Sequence, residues 1–291
     1  DARIPPPMTL LVWILLLLAV AIASFLAGIC AVLWWAVPRL ERGFLFSPNP
    51  IVPKTPDEVG LPFEQHFIDT PDGCRLSAWH MCPPDPLGAV VYFHGRATNM
   101  GILNEIFALI YKSGLQLMAV DYRGFGWSSG TPSEAGLYID AKASVKYFRE
   151  NLKAPHVPLI YWGRSMGGCF AAYAARQHPP HGLILETAFT SKSSLIKHYP
   201  RLRFLNLFSR CRLNTIEHLK NHPYPVLLMH GDLDKTVPLA EGHTLYERLS
   251  GPKEFFRVEG ADHINIHLVD SEAYIDRVLK FISQARPPMI H

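Results

Sequence analysis

The residues most suggestive of chemistry form the pentapeptide Gly163-Arg164-Ser165-Met166-Gly167. A short apolar run precedes it and a helical pattern follows it, which together predict a strand, a sharp turn and a helix. In such a turn the glycines let the chain bend so tightly that the serine hydroxyl projects from the end of the sheet. We therefore predict Ser165 as a nucleophile, with a Gly-Ser turn that has no chemical role as the alternative.

A serine hydroxyl is a weak nucleophile and needs a general base that an acid holds in place. After a turn of this type the acid follows the serine along the chain and the histidine follows the acid. Asp234 lies in a loop after a buried strand pattern, and His263 lies in a short glycine-bearing loop after the next strand pattern. We predict Asp234 as the acid and His263 as the base. The neighbouring groups that could replace them are Asp232, Glu186 and His267.

The tetrahedral intermediate of acyl transfer needs two backbone donors for its oxyanion. One predicted donor is the N–H of Met166, the residue after the nucleophile. The other is the N–H of Arg96, in the loop after the apolar run that ends at Phe93. The Arg96 side chain either brings positive charge to the mouth of the pocket or is an ordinary solvated side chain.

The elements that must position these residues are short apolar runs that alternate with helical patterns. The predicted strands cover residues 63–69, 74–82, 89–93, 115–120, 158–162, 182–185, 226–229 and 254–258, and the predicted helices cover 102–112, 133–151, 166–177, 239–249 and 271–285. This alternation is typical of an α/β protein with a mostly parallel central sheet and helices on both faces. The first two strands flank an Asp-Gly turn and predict an antiparallel hairpin at the N-terminal edge.

Several of these stretches resemble the α/β-hydrolase superfamily, in particular its ABHD-like branch with an N-terminal membrane anchor. The resemblance covers about residues 60–285. The stretches that carry it are Tyr92–Gly95, Asp121–Gly130, Pro132–Tyr138, Gly163–Gly168 and His230–Pro238. It implies the α/β-hydrolase fold with a short cap insertion, and a triad of Ser165, Asp234 and His263 with Arg96 and Met166 at the oxyanion hole. Asp262 departs from the family pattern, which usually has glycine before the histidine. A carboxylate there could raise the pKa of His263 or compete for its hydrogen bond.

The N-terminal region carries much of the apolar content of a chain that is 48% hydrophobic. Between Leu10 and Val37 every residue except Ser24 and Gly28 is hydrophobic. As a helix this run would be about 42 Å long, against about 30 Å for the hydrocarbon core of a bilayer. It predicts an uncleaved transmembrane signal-anchor. A cleaved signal peptide and a buried core helix are the alternatives.

The sequence divides into an N-terminal flank at residues 1–9, the anchor at 10–37, a proline-rich linker at 38–62 and the hydrolase domain at 63–291. Arg39 and Arg42 after the anchor outnumber Arg3 before it, which weakly favours a cytoplasmic domain. Residues 190–222 form a long connection that predicts a cap. Between Ser191 and Arg212 it carries no acidic residue and six basic ones, namely Lys192, Lys197, Arg201, Arg203, Arg210 and Arg212. A basic, apolar segment of this kind either rests on anionic headgroups or is an ordinary solvated face.

Other classes of function find little support in the sequence. The net charge is only +3 and no nucleic-acid-binding motif occurs, so we expect no nucleic-acid partner. The histidines and cysteines lack metal-ligand spacing and the glycines lack dinucleotide-binding spacing, so no cofactor or metal is expected. The five cysteines mildly favour a reducing compartment.

The sequence therefore predicts a membrane-anchored serine hydrolase that cleaves acyl ester or thioester bonds of lipid-like small molecules. The membrane is the expected partner, and the anchor and the basic cap would be the parts of the chain that contact it. A peptidase or amidase with the same triad is the alternative enzyme, and a binding protein with a silent site is the alternative outside catalysis.

Overall fold

The computed structural model of the protein describes residues 10–154, 156–200 and 203–285. The predicted flank at residues 1–9 lies outside this part, as do Arg201 and Leu202 of the predicted cap. The strands, numbered along the chain, are β1 Glu64–Asp69, β2 Arg75–Met81, β3 Gly88–Phe93, β4 Leu115–Val120, β5 Leu159–Arg164, β6 Gly182–Glu186, β7 Val226–Gly231 and β8 Lys253–Val258.

All eight strands form one sheet with the order β1-β2-β4-β3-β5-β6-β7-β8. β1 pairs antiparallel with β2, and β2 pairs antiparallel with β4. The remaining neighbours pair in parallel. Strands β3 to β7 are buried along their whole length, as expected of parallel strands covered on both faces. The predicted mostly parallel sheet with an antiparallel hairpin at its edge is confirmed.

Helices cover both faces of the sheet. The helices of the described residues are α1 Leu10–Phe46, α2 Asn104–Lys112, α3 Glu134–Asn151, α4 Gly167–Gln177, α5 Lys192–Leu195, α6 Thr215–His218, α7 Leu239–Arg248 and α8 Ser271–Gln284. Alternate side chains of a strand point to opposite faces, so β3 supplies both cores. Val91 and Phe93 belong to the core that holds the buried faces of α3 and α4. Val90 and Tyr92 belong to the core that holds those of α2 and α8.

Helix α1 is one continuous helix of 37 residues. Its first 28 residues, Leu10–Val37, have the length and hydropathy of a membrane span, and their most apolar window is not buried against the protein. A membrane anchor and a signal sequence both have these properties.

The linker predicted to begin at residue 38 begins later, because α1 continues through Pro38 to Phe46. A proline inside a helix removes one hydrogen bond. Here the end of the helix packs onto the domain, which offsets that loss: Phe46 is fully buried in the core and Leu45 packs against it. After Phe46 the chain has no regular structure up to β1, apart from a 3-10 turn at Asp57–Val59.

The connection between β6 and β7 holds the one-turn helices α5 and α6 and 3-10 turns at Ile196–His198 and Leu205–Phe208. We call residues 190–222 the cap segment. The turn Leu205–Phe208 contacts α1, and the Arg210 guanidinium lies 5.3 Å from the centroid of the Trp34 ring. The cap segment and the domain end of α1 therefore pack against each other.

A buried arginine braces the loop after β4. The Arg123 side chain donates to Asp140 on α3 and to Asp72 in the β1–β2 turn, at distances between 2.7 and 3.1 Å. Hydrogen bonds from Arg123 lower the pKa of Asp72 to about 2. This loop runs beside the end of β3, so the brace stabilises the edge of the sheet where the predicted site lies.

Candidate active site

Ser165 occupies the turn between β5 and α4. Its φ of 53° lies in the left-handed region, which is strained for a residue with a side chain. The neighbouring glycines make the turn possible. A Cβ on Gly163 would lie 2.5 Å from the Gly167 carbonyl oxygen, and a Cβ on Gly167 would collide with the Phe93 carbonyl oxygen. The Ser165 N–H donates to the Glu186 carbonyl oxygen at 2.8 Å, which ties the turn to β6.

The structure brings Ser165, His263 and Asp234 into one hydrogen-bonded series. His263 Nε2 lies 3.1 Å from Ser165 Oγ, and His263 Nδ1 lies 2.7 Å from Asp234 Oδ2. A carboxylate can only accept, so Nδ1 carries the proton that is donated to Asp234. Nε2 is then free of its proton in the neutral ring and accepts from the serine hydroxyl. This arrangement can remove a proton from Ser165 during attack on a carbonyl carbon.

Asp234 is held in place by the loop after β7. Its Oδ1 accepts from the N–H groups of Thr236 and Val237 at 2.8 and 2.7 Å. These bonds leave Oδ2 directed at His263. The backbone of the loop thus orients the carboxylate, and the carboxylate in turn orients the imidazole ring.

The alternative acids and base make other contacts. Asp232 accepts from Arg257 and from the Gly260 N–H, both at 2.8 Å. Glu186 is buried beneath the serine turn and accepts from Trp162 and Tyr274. His267 packs near Tyr274, with 6.4 Å between ring centroids. The geometry therefore favours Asp234 and His263 over these three groups.

Asp262, the departure from the family pattern, does not bond to the neighbouring imidazole. Its Oδ1 accepts from the N–H groups of Ile264 and Asn265 at 2.7 and 2.9 Å. Hydrogen bonds from these backbone groups lower the pKa of the Asp262 carboxyl. Asp262 therefore closes the turn that carries His263.

The predicted oxyanion donors lie beside the serine. Arg96 and Met166 line the same cavity as Ser165, and a Cβ on Gly95 would lie 3.4 Å from Ser165 Cβ. His94 Nδ1 lies 2.7 Å from the Gly95 carbonyl oxygen and donates to it. In a trans peptide the C=O and the following N–H point in opposite directions. By holding the Gly95 carbonyl from one side, His94 turns the Arg96 N–H to the other.

Arg164 contributes to the site in a way that the sequence alone did not predict. It is buried, and its guanidinium donates to the carbonyl oxygens of His263 and Ile264 at 3.0 and 2.7 Å. Its Nε lies 3.3 Å from Glu186 Oε1. Burial alone would lower the pKa of Arg164, but Coulombic attraction by Glu186 and smaller contributions from Tyr92 and Tyr274 together outweigh it, and the net pKa is raised. The signal in the sequence was a charged residue two positions after the apolar run at residues 158–162.

A cavity of about 610 Å³ opens at the serine. Residues of the serine turn, the cap segment and the Asp234 loop line it together with four residues of α1, and those four are Leu33, Ala36, Val37 and Leu45. The lining is mainly aliphatic and aromatic, and Ser165 is part of it. The sequence alone predicts this part of the chain as an anchor and gives no sign that it lines the site.

One group of side chains in the described residues has the spacing of a metal site, namely Glu64, His66 and His80 on the edge hairpin. The Gln116 amide is fixed by the chain: it donates to the Leu152 carbonyl oxygen and accepts from the Ala154 N–H. Its Nε2 therefore donates to His80 Nε2 at 2.9 Å, so His80 Nδ1 carries the proton and donates to Glu64. That arrangement is a hydrogen-bonded cluster rather than a set of metal ligands.

Known proteins that match this chain in sequence or in structure agree with the fold described above. Residues 84–193 match the family model described as serine aminopeptidase, S33. The solved Pyrococcus furiosus esterase Pf2001 superposes with a TM-score of 0.69 at 21% identity, over 82% of this chain and 97% of that chain. The chain has the fold of an α/β hydrolase, and its central part matches a hydrolase family model. The predicted fold class and the predicted resemblance to α/β hydrolases are thus confirmed.

Two relatives match this α/β hydrolase over most of its length. An uncharacterized protein of Mycobacterium tuberculosis is 29% identical over 275 residues, which cover 91% of this chain and 94% of that protein. The protein YfhR of Salmonella typhimurium is 28% identical over 283 residues, which cover 90% of this chain and 94% of that protein.

Proposed function

We propose that this α/β hydrolase is a membrane-anchored serine hydrolase that cleaves acyl ester or thioester bonds of lipid-type substrates through an acyl-enzyme intermediate. The observation that carries the proposal is the hydrogen-bonded series of Ser165, His263 and Asp234, whose serine lines an apolar cavity. Esterase is also the activity named for the Pyrococcus furiosus protein that shares the fold.

In the acylation step Ser165 Oγ attacks the acyl carbonyl carbon while His263 Nε2 takes the hydroxyl proton. The new Oγ–C bond forms as the carbonyl electron pair moves to oxygen, and the N–H groups of Arg96 and Met166 donate to that oxyanion. Asp234 stabilises the imidazolium that results. Collapse of the intermediate breaks the bond to the alcohol or thiol, which leaves with the proton from His263.

In the deacylation step a water molecule repeats the attack on the acyl-serine. His263 accepts the water proton, and the second tetrahedral intermediate collapses by breaking the Oγ–C bond. The carboxylic acid leaves and His263 returns its proton to Ser165. The step consumes one water and restores the starting state of the site.

The membrane part of the proposal rests on α1 and the cap segment. The apolar residues of α1 from Leu10 up to the cavity are mostly exposed, and Phe204 and Leu207 of the cap segment are 59% and 72% exposed beside this helix. Lys192 is buried against Ser209, so it does not belong to the basic surface predicted from the sequence. We propose a single-pass anchor, with Arg39 and Arg42, which follow the apolar run, favouring the cytoplasmic side.

Peptide cleavage is the competing activity, because the matched family is described as a serine aminopeptidase. An aminopeptidase must bind the ammonium group of its substrate, which calls for an anionic partner in the pocket. The described lining of the cavity holds Arg96 and Lys192 and no carboxylate. This charge pattern favours uncharged acyl chains over peptide amino termini.

A substrate panel tests the proposed function. The full-length protein in detergent is assayed with p-nitrophenyl esters and acyl thioesters of increasing chain length and with peptide p-nitroanilides. We expect kcat/KM for medium and long acyl esters to exceed that for the acetate by about tenfold or more, because apolar burial favours each added methylene. Faster cleavage of the anilides would contradict the proposal.

A further inference from the structure

The membrane-spanning helix is also a wall of the cavity at Ser165. Leu33, Ala36 and Val37 line that cavity and follow each other at the i, i+3 and i+4 spacing of one helical face. Val37 is buried, and Leu33 and Ala36 are half-buried. The residues on the other side of this turn, Trp34 and Trp35, are mostly exposed. The domain thus covers one face of the helix at this level and leaves the other open.

The same face continues towards the middle of the apolar run. Phe25, Gly28, Ile29, Val32 and Leu33 line a second, shallow hollow of about 450 Å³. Leu33 belongs to both hollows, so one stripe along α1 leads from the lipid-facing part of the helix to the cavity. Gly28 adds open space to this stripe, since a Cβ there would have no atom within 4 Å.

The height of the cavity relative to a bilayer follows from the helix rise. From Leu10 to Leu33 the helix rises about 35 Å, slightly more than the roughly 30 Å of a hydrocarbon core. The turn at Leu33–Val37 therefore lies where the acyl chains meet the headgroups. Trp34, Trp35 and Arg39 mark the same level, as aromatic and basic residues do at membrane surfaces. An acyl chain could pass from the bilayer into the cavity without crossing water.

Building on the function proposed above, we propose that α1 is one wall of the acyl-chain subsite. The occupant is the acyl chain of a lipid drawn from the adjoining leaflet, lying along the stripe from Phe25 to Val37 with its carbonyl carbon at Ser165. Ala36 is the smallest side chain that α1 contributes to the cavity. It leaves the width that the chain needs and determines which acyl chains fit.

The test compares the same substitution on two faces of α1. Ala36→Phe fills the cavity, whereas Ala31→Phe adds the same ring at an exposed position outside the stripe. In full-length protein in nanodiscs, the ratio of kcat/KM for p-nitrophenyl palmitate to that for the butyrate falls about tenfold or more in Ala36→Phe. The ratio stays within about twofold of wild type in Ala31→Phe. Leu33→Ala widens the cavity and shifts the ratio in the opposite direction.

A second readout does not depend on turnover. In the Ser165→Ala background a diazirine-bearing palmitic acid is photo-crosslinked, and adducts are mapped on Phe189 and Leu195, which line the cavity from the domain side. We expect the adduct yield at these residues to fall about tenfold with Ala36→Phe and to persist with Ala31→Phe.

The outcomes separate the two proposals. If adducts respond to Ala36→Phe while no ester is hydrolysed by the wild type, the proposed function is wrong and the acyl subsite stands. If esters are hydrolysed but neither the ratio nor the adduct yield responds to Ala36→Phe or Leu33→Ala, α1 is not a wall of the subsite. If the kcat/KM ratio and the adduct yield respond equally to Ala36→Phe and Ala31→Phe, the proposal that α1 is a wall of the subsite is overturned as well.

Discussion

At the residue scale, a hydrogen bond from His94 fixes the orientation of the peptide between Gly95 and Arg96. His94 donates to the Gly95 carbonyl oxygen at 2.7 Å, and Tyr122 donates to the His94 carbonyl oxygen at 3.0 Å. The rings of His94 and Tyr122 also pack together, with centroids 4.4 Å apart. The proposed donor Arg96 N–H therefore depends on a buried side chain that does not line the cavity.

His94→Ala should lower kcat without a comparable rise in KM, because an oxyanion donor acts mainly in the transition state. We expect a loss of about ten- to a hundredfold in kcat on a p-nitrophenyl ester, less than the loss of a donor itself. His243→Ala, at an exposed position of α7, is the matched control and should retain wild-type kinetics. A raised KM with unchanged kcat would show that His94 does not position the donor.

At the element scale, the site exists because loops after several strands meet at one edge of the sheet. Ser165 follows β5, Asp234 follows β7 and His263 follows β8, and the Gly95–Arg96 peptide follows β3. Parallel strands bring their carboxyl ends to the same edge, so this meeting could be predicted from the order of apolar runs alone. The Arg164 side chain links two of these loops from below, since it joins the end of β5 to the turn that carries His263.

The contribution of Arg164 could not be predicted, since its burial depends on partners far apart in the sequence. Glu186 comes from the neighbouring strand, and the carbonyl groups that Arg164 binds lie about 100 residues away. The end of α1 was missed for a related reason. Pro38 suggested that the helix ends there. The helix continues because Phe46 packs in the core of the domain, and such tertiary packing cannot be inferred from local sequence patterns.

Arg164→Met should destabilise the fold and impair catalysis together. Glu186 would remain buried without its cation, at a cost of about 3–5 kcal/mol in the free energy of unfolding. Arg164→Met combined with Glu186→Gln should recover part of that stability but not kcat, because the His263 loop still lacks its donor. Urea unfolding and ester kinetics on both variants check this. Full recovery of kcat in the double variant would mean that Arg164 does not position the loop.

At the scale of the whole molecule, buried histidines make the stability of the folded state depend on pH. Burial lowers the pKa of His80, His218, His230 and His267. The unfolded chain takes up protons at these residues below about pH 6.5, whereas the folded chain resists protonation until lower pH. In that window the unfolded state binds more protons, so stability falls as pH falls.

We therefore expect Tm to decrease steadily from pH 7.5 to pH 5.5, measured by differential scanning fluorimetry of the detergent-solubilised protein. Carboxylates with lowered pKa values, such as Asp72 and Asp262, lose their contribution only at more acidic pH. A constant or rising Tm over this window would show that the four histidines are not kept neutral by the fold.

At the same scale, the apolar helix α1 contributes residues to the cavity at the proposed nucleophile. The helix of 37 residues whose apolar part is predicted to be an anchor supplies four residues of the cavity at Ser165. An apolar cavity of about 610 Å³ at Ser165 suits substrates with acyl chains. Under the proposed function, the anchor and the preference for acyl chains have a common physical origin in α1.

Covalent labelling of the full-length protein with a fluorophosphonate tests the central claim most directly, because the probe reacts only with an activated serine. Wild type and Ser283→Ala, which changes an exposed serine of α8, should be labelled at the same rate. Ser165→Ala should take up no label, and His263→Ala should be labelled and turn over esters about a thousandfold more slowly. Label or ester turnover retained in Ser165→Ala would contradict the assignment of the nucleophile.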